Sequence, residues 1–182
     1  MRVLVMGATG SGKSTFAREL AARIGAPQIE LDALNWDPDW TNFSQVDPEK
    51  LRARILNAVV PEAWTCDGNY AAVRQMVLER ATHIVWLGYE RLVIVARVIR
   101  RSVSRAIDGQ ELWAGTGNRE DFRRWLDKEH PIRWAWDTFR YRRATYEKMF
   151  ADPSNAHLSL HHVRRSATDL TVSQARPFPS DG

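Results

Sequence analysis

The feature that most constrains this 182-residue chain is a glycine-rich segment close to its first residue. Gly7–Ser14 reads GATGSGKS and fits the pattern G-x-x-x-x-G-K-[ST] at every defined position. The apolar run Val3–Met6 precedes this segment, and a helical pattern from Lys13 to Ile24 follows it. A strand, a glycine turn and a helix in this order bring backbone N–H groups and a helix N-terminus to one point. The sequence therefore predicts a phosphate-binding loop.

Two side chains of the loop have predicted roles toward a bound nucleoside triphosphate. Lys13 places a mobile cation on the β- and γ-phosphates, and the hydroxyl of Ser14 can ligate Mg²⁺. Lys13 is also a catalytic candidate, because it can neutralise charge that develops on the transferring oxygens. The residues predicted to bind the nucleotide are Gly7, Ala8, Thr9, Gly10, Ser11, Gly12, Lys13, Ser14 and Thr15.

Apolar strand patterns alternate with helical patterns along the chain. Strands that are separated by helices pair in parallel, and right-handed crossovers then cover both faces of the sheet. We predict an α/β fold of three layers in a single domain over residues 1–174, followed by a disordered tail over residues 175–182. The five predicted strands of the parallel sheet are Val3–Met6, Pro27–Leu31, Ala63–Cys66, Ile84–Leu87 and His157–Val163.

Polar residues follow the second and third predicted strands, at the edge where parallel sheets bind ligands. Asp67 is predicted to hold Mg²⁺ beside the loop, although it could instead form an Asp-Gly turn with Gly68. Asp32 could orient or deprotonate an acceptor hydroxyl, or it could cap a helix. Further candidates for the acceptor pocket, each also plausible as an ordinary surface or loop-packing residue, are Trp36, Trp40, Asn69, Tyr70 and Arg74.

Positive charge is concentrated in the middle of the chain. Residues 90–143 hold 13 basic and 8 acidic residues, whereas the whole chain has a net charge of only +4. Arg97, Arg101 and Arg105 recur four apart on a predicted helix. We predict a helical lid over about residues 98–130, with Arg97 and Arg101 acting on the transferring phosphoryl group. The apolar stripe predicted to be buried on the other side of this helix is Leu92, Val95, Ile99 and Val103.

The same basic segment also suits another interpretation. Arginines interleaved with tryptophans are typical of a nucleic-acid surface. The predicted burial of Trp136 and the modest net charge argue against it. On the later helix, Arg140, Arg142 and Arg143 could each reach the phosphates, and the sequence does not choose among them.

Composition excludes some classes of protein. Cys66 is the single cysteine, so there is no internal disulfide and no cysteine-based metal site. No apolar run approaches the roughly 20 residues that span a bilayer, and the start of the chain lacks the apolar stretch of a signal peptide. We therefore expect a soluble, cytoplasmic protein.

Taken together, these motifs resemble the P-loop kinases of the adenylate kinase-like superfamily. The closer resemblance is to the small bacterial topology modulation protein, or adenylate kinase-related, family, and it covers most of residues 1–150. It implies ATP binding, a five-stranded parallel sheet and a lid after the fourth strand. The matching segments are Gly7–Ser14, Leu31–Trp36, Asp67–Tyr70, Trp86–Leu87, Leu112–Gly115 and Asn118–Glu120.

The resemblance also bears on the acceptor. Arg97 and Arg101 match the lid-side R-x-x-x-R motif of adenylate kinases. Arg142 and Tyr146 are similar to the later R-x-x-x-Y motif of these kinases. This second similarity implies that Arg142 contacts the substrate. Asp32 stands where nucleoside monophosphate kinases do not usually carry an acid, whereas shikimate and gluconate kinases carry one near this point for a hydroxyl substrate.

The predicted function is transfer of the γ-phosphate of ATP, with Mg²⁺, to an unidentified small molecule or nucleotide. The protein would act as a monomer or a homodimer. One alternative is a nucleotide-binding ATPase or regulator that acts on DNA, and another is nucleotide binding without catalysis.

Overall fold

The structure is a computed structural model that describes residues 1–68, 70–121, 123, 125, 127, 130–166 and 169–174, with side chains up to Val163. Asn69 and the predicted tail, residues 175–182, lie outside this part. The strands are β1 (Arg2–Gly7), β2 (Gln28–Glu30), β3 (Trp36–Asp37), β4 (Thr41–Asn42), β5 (Trp64–Asp67), β6 (His83–Leu87), β7 (Ser159–Ser166) and β8 (Asp169–Gln174). The α-helices are α1 (Lys13–Ile24), α2 (Leu31–Asn35), α3 (Phe43–Val46), α4 (Pro48–Ala58), α5 (Arg74–Arg80), α6 (Arg91–Asp108) and α7 (Pro131–Ala151).

The five parallel strands that the sequence predicts form one sheet in the order β2-β5-β1-β6-β7. An additional strand, β8, pairs antiparallel with β7 at the edge. The sequence analysis missed β8, because no glycine, proline or asparagine between Ser166 and Asp169 signals a hairpin. Since β5 lies between β1 and β2, Glu30 is the register partner of Asp67, and Asp67 is the partner of Val5. The ends of these strands therefore meet beside the phosphate-binding loop.

Helices cover both faces of the sheet, which explains why its central strands are apolar throughout. In β1, Leu4 and Met6 pack on one face, while Val3 and Val5 pack on the other. α1 covers the second face through the fully buried Ala17. The first face is covered by residues of α4, α5 and α7, among them Leu51, Ile55, Val77, Tyr146 and Met149. Together these elements form the three-layer α/β/α fold. Within the described residues, no helix combines the length and the apolar character needed to cross a membrane.

The buried face of α6 differs from the predicted one. Leu92 is 71% exposed, Ile99 and Val103 are also exposed and Val95 is half-buried, whereas Ile94 and Val98 are buried. The predicted stripe was wrong because it followed apolar spacing alone. The buried side of α6 instead combines Ile94 and Val98, which lie against Gly10, with the polar Ser102.

The predicted burial of Trp136 was also wrong. Its side chain is 46% exposed, and the guanidinium of Arg91 lies 4.0 Å from the centroid of its ring. The burial of Trp136 therefore no longer argues against a nucleic-acid surface.

Candidate functional site

The phosphate-binding loop joins β1 to α1, as predicted. Gly10 and Gly12 adopt left-handed φ angles of 87° and 84°. A Cβ on Gly10 would lie 2.3 Å from Cγ2 of Val98, so only glycine lets the loop approach α6 this closely. Gly12 precedes α1 and offers no side-chain cap, so no side chain occupies the first N–H groups of the helix. This helix N-terminus can therefore receive an anion.

Ser14 and Asp67, the two predicted Mg²⁺ ligands, lie in direct contact. The hydroxyl of Ser14 donates to Oδ2 of Asp67 over 2.5 Å. Gln28 also donates to the carboxylate of Asp67 at 3.1 Å, and Asp67 is 1% exposed. One hydroxyl and one carboxylate beside a phosphate site are the donors that Mg²⁺ uses when water and phosphate complete its coordination. The residues present therefore fit the ion.

Asp32 lies near Asp67 because of Gly68. The φ of Gly68 is 127°, and a Cβ there would lie 2.7 Å from Cβ of Leu31. Glycine at this position lets the start of α2 pack against the end of β5. Asp32 follows Leu31 in α2, so its carboxylate reaches the same end of the sheet.

Tyr70 and Asp32 are brought together as the predicted acceptor residues. The phenol of Tyr70 donates to Oδ1 of Asp32 over 2.6 Å. Burial raises the pKa of Tyr70 above its usual range, and the neighbouring Asp32 raises it further. Trp36, which donates a hydrogen bond to the phenol, and Arg142, through its charge, oppose this shift in the pKa of Tyr70. The phenol therefore stays protonated, and Asp32, Tyr70 and Trp36 form one hydrogen-bonded group, the acceptor pocket, with Arg142 close enough for its charge to act on Tyr70.

Glu30 belongs to the same pocket but was not among the predicted site residues. Burial raises its pKa, and the nearby carboxylates of Asp67 and Asp32 raise it further, while Lys13 and the indole of Trp113 lower it. Glu30 lies beside Asp67 because β2 pairs with β5, and the order of the strands in the sheet was not predicted from the sequence. The available sequence signal was its position as the last residue of a strand that ends in Glu30-Leu31-Asp32.

Three indoles cover this side of the site. Trp36 stacks on Trp113 with ring centroids 5.8 Å apart and planes 12° apart. Trp40 packs edge-on against both rings. Trp36 and Trp40 belong to the hairpin segment 36–42, which Arg54 anchors by a two-pronged contact with Asp37 at 3.0 and 3.1 Å. Trp113 lies in the lid loop, residues 109–118, and was not predicted to contribute to the acceptor pocket.

Two predicted catalytic arginines on α6, Arg97 and Arg101, line one cavity, and Arg97 also contacts the phosphate-binding loop. Nη1 of Arg97 lies 3.4 Å from the carbonyl oxygen of Ser11, and its guanidinium stacks on Tyr89. Nε of Arg101 is buried and has no hydrogen-bond partner among the described residues. Burial lowers the pKa of Arg101, and the repulsion of Arg105 lowers it further. A buried cation of this kind can stabilise an anion bound at the loop.

The remaining acceptor candidates are less closely tied to the pocket. Arg74 is the half-buried first residue of α5, at the end of the sheet that carries the site. Arg142 lines a cavity beside the loop together with Ala8, Phe139 and Tyr146. The hydroxyl of Tyr146 donates to the carbonyl oxygen of Gly7 over 3.2 Å, which connects α7 to the start of the loop.

Comparisons with known proteins find similarity in structure but no match in sequence. No protein-family model and no curated protein sequence matches the chain. An uncharacterized protein from Eubacterium ventriosum ATCC 27560 is 10% identical, with a TM-score of 0.49, over 93% of this chain and 91% of its own. Shikimate kinase from Bacteroides thetaiotaomicron is 14% identical, with a TM-score of 0.49, over 90% of this chain and 86% of its own. A putative kinase from Chloroflexus aurantiacus J-10-fl is 18% identical, with a TM-score of 0.44, over 56% of this chain and 65% of its own.

Proposed function

We propose that this protein is an ATP-dependent phosphotransferase of the P-loop kinase type. The observation that carries the proposal is the contact of Ser14 with Asp67 beside the phosphate-binding loop, together with Arg97, which contacts the loop from α6 and lines one cavity with Arg101. A pair of metal ligands and cations close to a phosphate loop are the parts that phosphoryl transfer needs. Mg²⁺, when bound by Ser14 and Asp67, would neutralise charge on the β- and γ-phosphates of ATP.

Within this function, we propose that the acceptor is a hydroxyl group on a molecule that carries no phosphate of its own. Glu30 and Asp32 give the pocket two carboxylates, which would repel the dianion of a phosphomonoester. Asp32 would accept the proton of the acceptor hydroxyl as the new O–P bond forms. The bond between the γ-phosphorus and the bridging oxygen breaks at the same time, and ADP leaves.

The test measures ADP release from Mg·ATP with a panel of neutral polyols, sugars and nucleosides, set against a panel of nucleoside monophosphates. We expect turnover with a member of the first panel, and we expect Asp32→Asn to lower it while ATP affinity by calorimetry is unchanged. Asp137→Asn, on the exposed surface of α7, is the matched control. Turnover with a nucleoside monophosphate that survives Asp32→Asn would refute the hydroxyl acceptor. Failure of the folded wild-type protein to bind Mg·ATP would refute the kinase.

The alternative function, a nucleotide-binding ATPase or regulator that acts on DNA, has one observation in its favour. Trp134 and Trp136 are 40% and 46% exposed, and arginines lie over both rings. Exposed indoles beside arginines can stack on unpaired bases. This function predicts ATP hydrolysis without an acceptor and DNA binding that weakens steeply with salt. A family relationship to the topology modulation proteins remains part of this proposal, resting on the motifs of the sequence.

A further inference from the structure

The hairpin segment 36–42, which supplies two indoles of the acceptor pocket, is backbone-strained at its tip. Asp39 and Trp40 have φ angles of 58° and 56°, both in the left-handed region, and neither is glycine. Residues with a Cβ adopt this conformation at an energetic cost and keep it only where their surroundings hold them. The strain therefore raises the question of what holds the tip.

The side chain of Asn118, in the lid loop, holds it. Oδ1 of Asn118 accepts the backbone N–H of Trp40 at 3.0 Å, and Nδ2 donates to the carbonyl oxygen of Asp37 at 3.0 Å. Asn118 is 3% exposed. Its own backbone is fixed in the lid loop, because its carbonyl oxygen accepts the N–H of Leu112 and its N–H donates to the hydroxyl of Thr116. One buried amide thus joins two segments that are far apart in sequence.

The contacts continue from the lid loop into the pocket. Trp113 stacks on Trp36 and acts as a hydrogen-bond donor toward Glu30. Trp36 acts as a donor toward Tyr70, which in turn donates to Asp32. Trp36 and Glu30 therefore contact Trp113 of the lid loop directly, Tyr70 is connected to it through Trp36, and Asp32 through Trp36 and Tyr70.

We propose that Asn118 is a positioning residue that locks segment 36–42 in the conformation that completes the acceptor pocket, so that the pocket is complete only while the lid loop is docked. This inference rests on the proposed function. The lid loop follows α6 directly, and Arg97 of α6 contacts the phosphate-binding loop. Nucleotide binding at the phosphate-binding loop and assembly of the acceptor pocket would therefore be coupled through α6 and the lid loop.

The test is hydrogen exchange of the full-length protein, without ligand and with Mg²⁺ and a non-hydrolysable ATP analogue. In the ligand-free protein we expect Asn118→Ala to speed exchange in segment 36–42 by about tenfold or more, with β1, β5 and β6 unchanged, because the strained tip loses both bonds. The analogue should slow exchange of this segment in the wild type and not in Asn118→Ala, although it binds to both. Glu111→Gln is the matched control, since a glutamine oxygen can still accept the N–H of Gly115 that Glu111 holds.

Asn118→Asp keeps an acceptor for the N–H of Trp40 but sets a carboxylate oxygen against the carbonyl oxygen of Asp37 and buries an unpaired charge, so its effect on segment 36–42 should be at least as large as that of Asn118→Ala. Asn118→Ser, which adds no charge, replaces Asn118→Ala in the comparison if the alanine variant speeds exchange throughout the sheet. Unchanged exchange of segment 36–42 in these variants would overturn the proposal, as would equal protection by the analogue with and without Asn118. An analogue that fails to bind to any variant would refute the proposed function, and the ligand-free comparison would still decide the role of Asn118.

Discussion

Lys13 is the cation of the phosphate-binding loop and the first residue of α1. We expect Lys13→Ala to lower ATP-dependent phosphoryl transfer by at least about 10²–10³-fold, the usual effect of removing one group that stabilises developing charge. The fold should persist, since Lys13 is not part of the core. Steady-state ADP release and circular dichroism measure the two effects, with Lys148→Ala on the exposed side of α7 as the control. Full activity of a folded Lys13→Ala protein would remove Lys13 from the mechanism.

Asp67 is the buried carboxylate that accepts from both Ser14 and Gln28. Asp67→Asn keeps the shape and removes the charge, so we expect the gain in ATP affinity that Mg²⁺ provides to fall by about 10–100-fold. Calorimetric titration of ATP with and without Mg²⁺ measures this gain, and Asp137→Asn again serves as the control. An unchanged gain in the Asp67→Asn protein would show that the ion is held elsewhere.

The sequence could identify those site residues whose position follows from neighbouring strands and helices in the chain. Asp32 and Asp67 were found because each follows a strand, and neighbouring parallel strands end at one edge of a sheet. Glu30 required the strand order, and Asn118 required the docking of a loop on a hairpin 78 residues away in sequence. No local pattern encodes a contact of that kind.

Among the secondary-structure elements, α6 is the helix for which the spacing of apolar residues predicted the wrong buried face. Its leucine, isoleucine and valine positions indicated burial of Leu92, Ile99 and Val103, yet all three are exposed. The helix instead packs Val98 against Gly10, where the loop has no Cβ to keep the two segments apart. That Arg97 and Arg101 act on the transferring phosphoryl group stays a prediction, and the contact of Arg97 with the phosphate-binding loop agrees with it.

The lid loop has glycines near both of its ends, and these permit rearrangement. Gly109, Gly115 and Gly117 have φ angles of 59°, 78° and 70°. We expect Mg·ATP to slow tryptic cleavage at Arg119 severalfold, because nucleotide bound at the phosphate-binding loop, next to Arg97 of α6, favours the docked lid loop. Cleavage at Arg23, on the far end of α1, gives the control rate within the same digest. Identical cleavage at Arg119 with and without Mg·ATP would argue against a moving lid.

For the whole molecule, the alternation of strands and helices was enough to predict the parallel sheet and its layers, because right-handed crossovers leave few arrangements. It was not enough to predict β8, whose pairing with β7 closes a hairpin without a turn signature. The sequence also did not predict how the order of the strands affects stability. Placing β2 beside β5 brings Glu30, Asp32 and Asp67 together at one edge.

That concentration of carboxylates should make folding depend on pH through Glu30. Burial and the charges of Asp67 and Asp32 raise the pKa of Glu30 in the folded protein above its value in the unfolded chain. The folded state therefore favours the protonated carboxyl, and stability is lost as pH rises through the raised pKa. Below about pH 4 the group is protonated in both states, and this loss is absent.

Glu30→Gln mimics the protonated carboxyl at every pH. We expect it to raise the Tm at pH 7 by no more than about 2–4 °C, which corresponds to about 1 kcal/mol for a chain of this size after allowing for solvent screening. The gain should shrink toward zero as the pH falls below about 4. Thermal unfolding across this range, with Glu19→Gln on the exposed face of α1 as the control, measures the difference. A lower Tm for Glu30→Gln at pH 7 would mean that Lys13 and Trp113 stabilise the ionised carboxylate by more than its neighbours destabilise it.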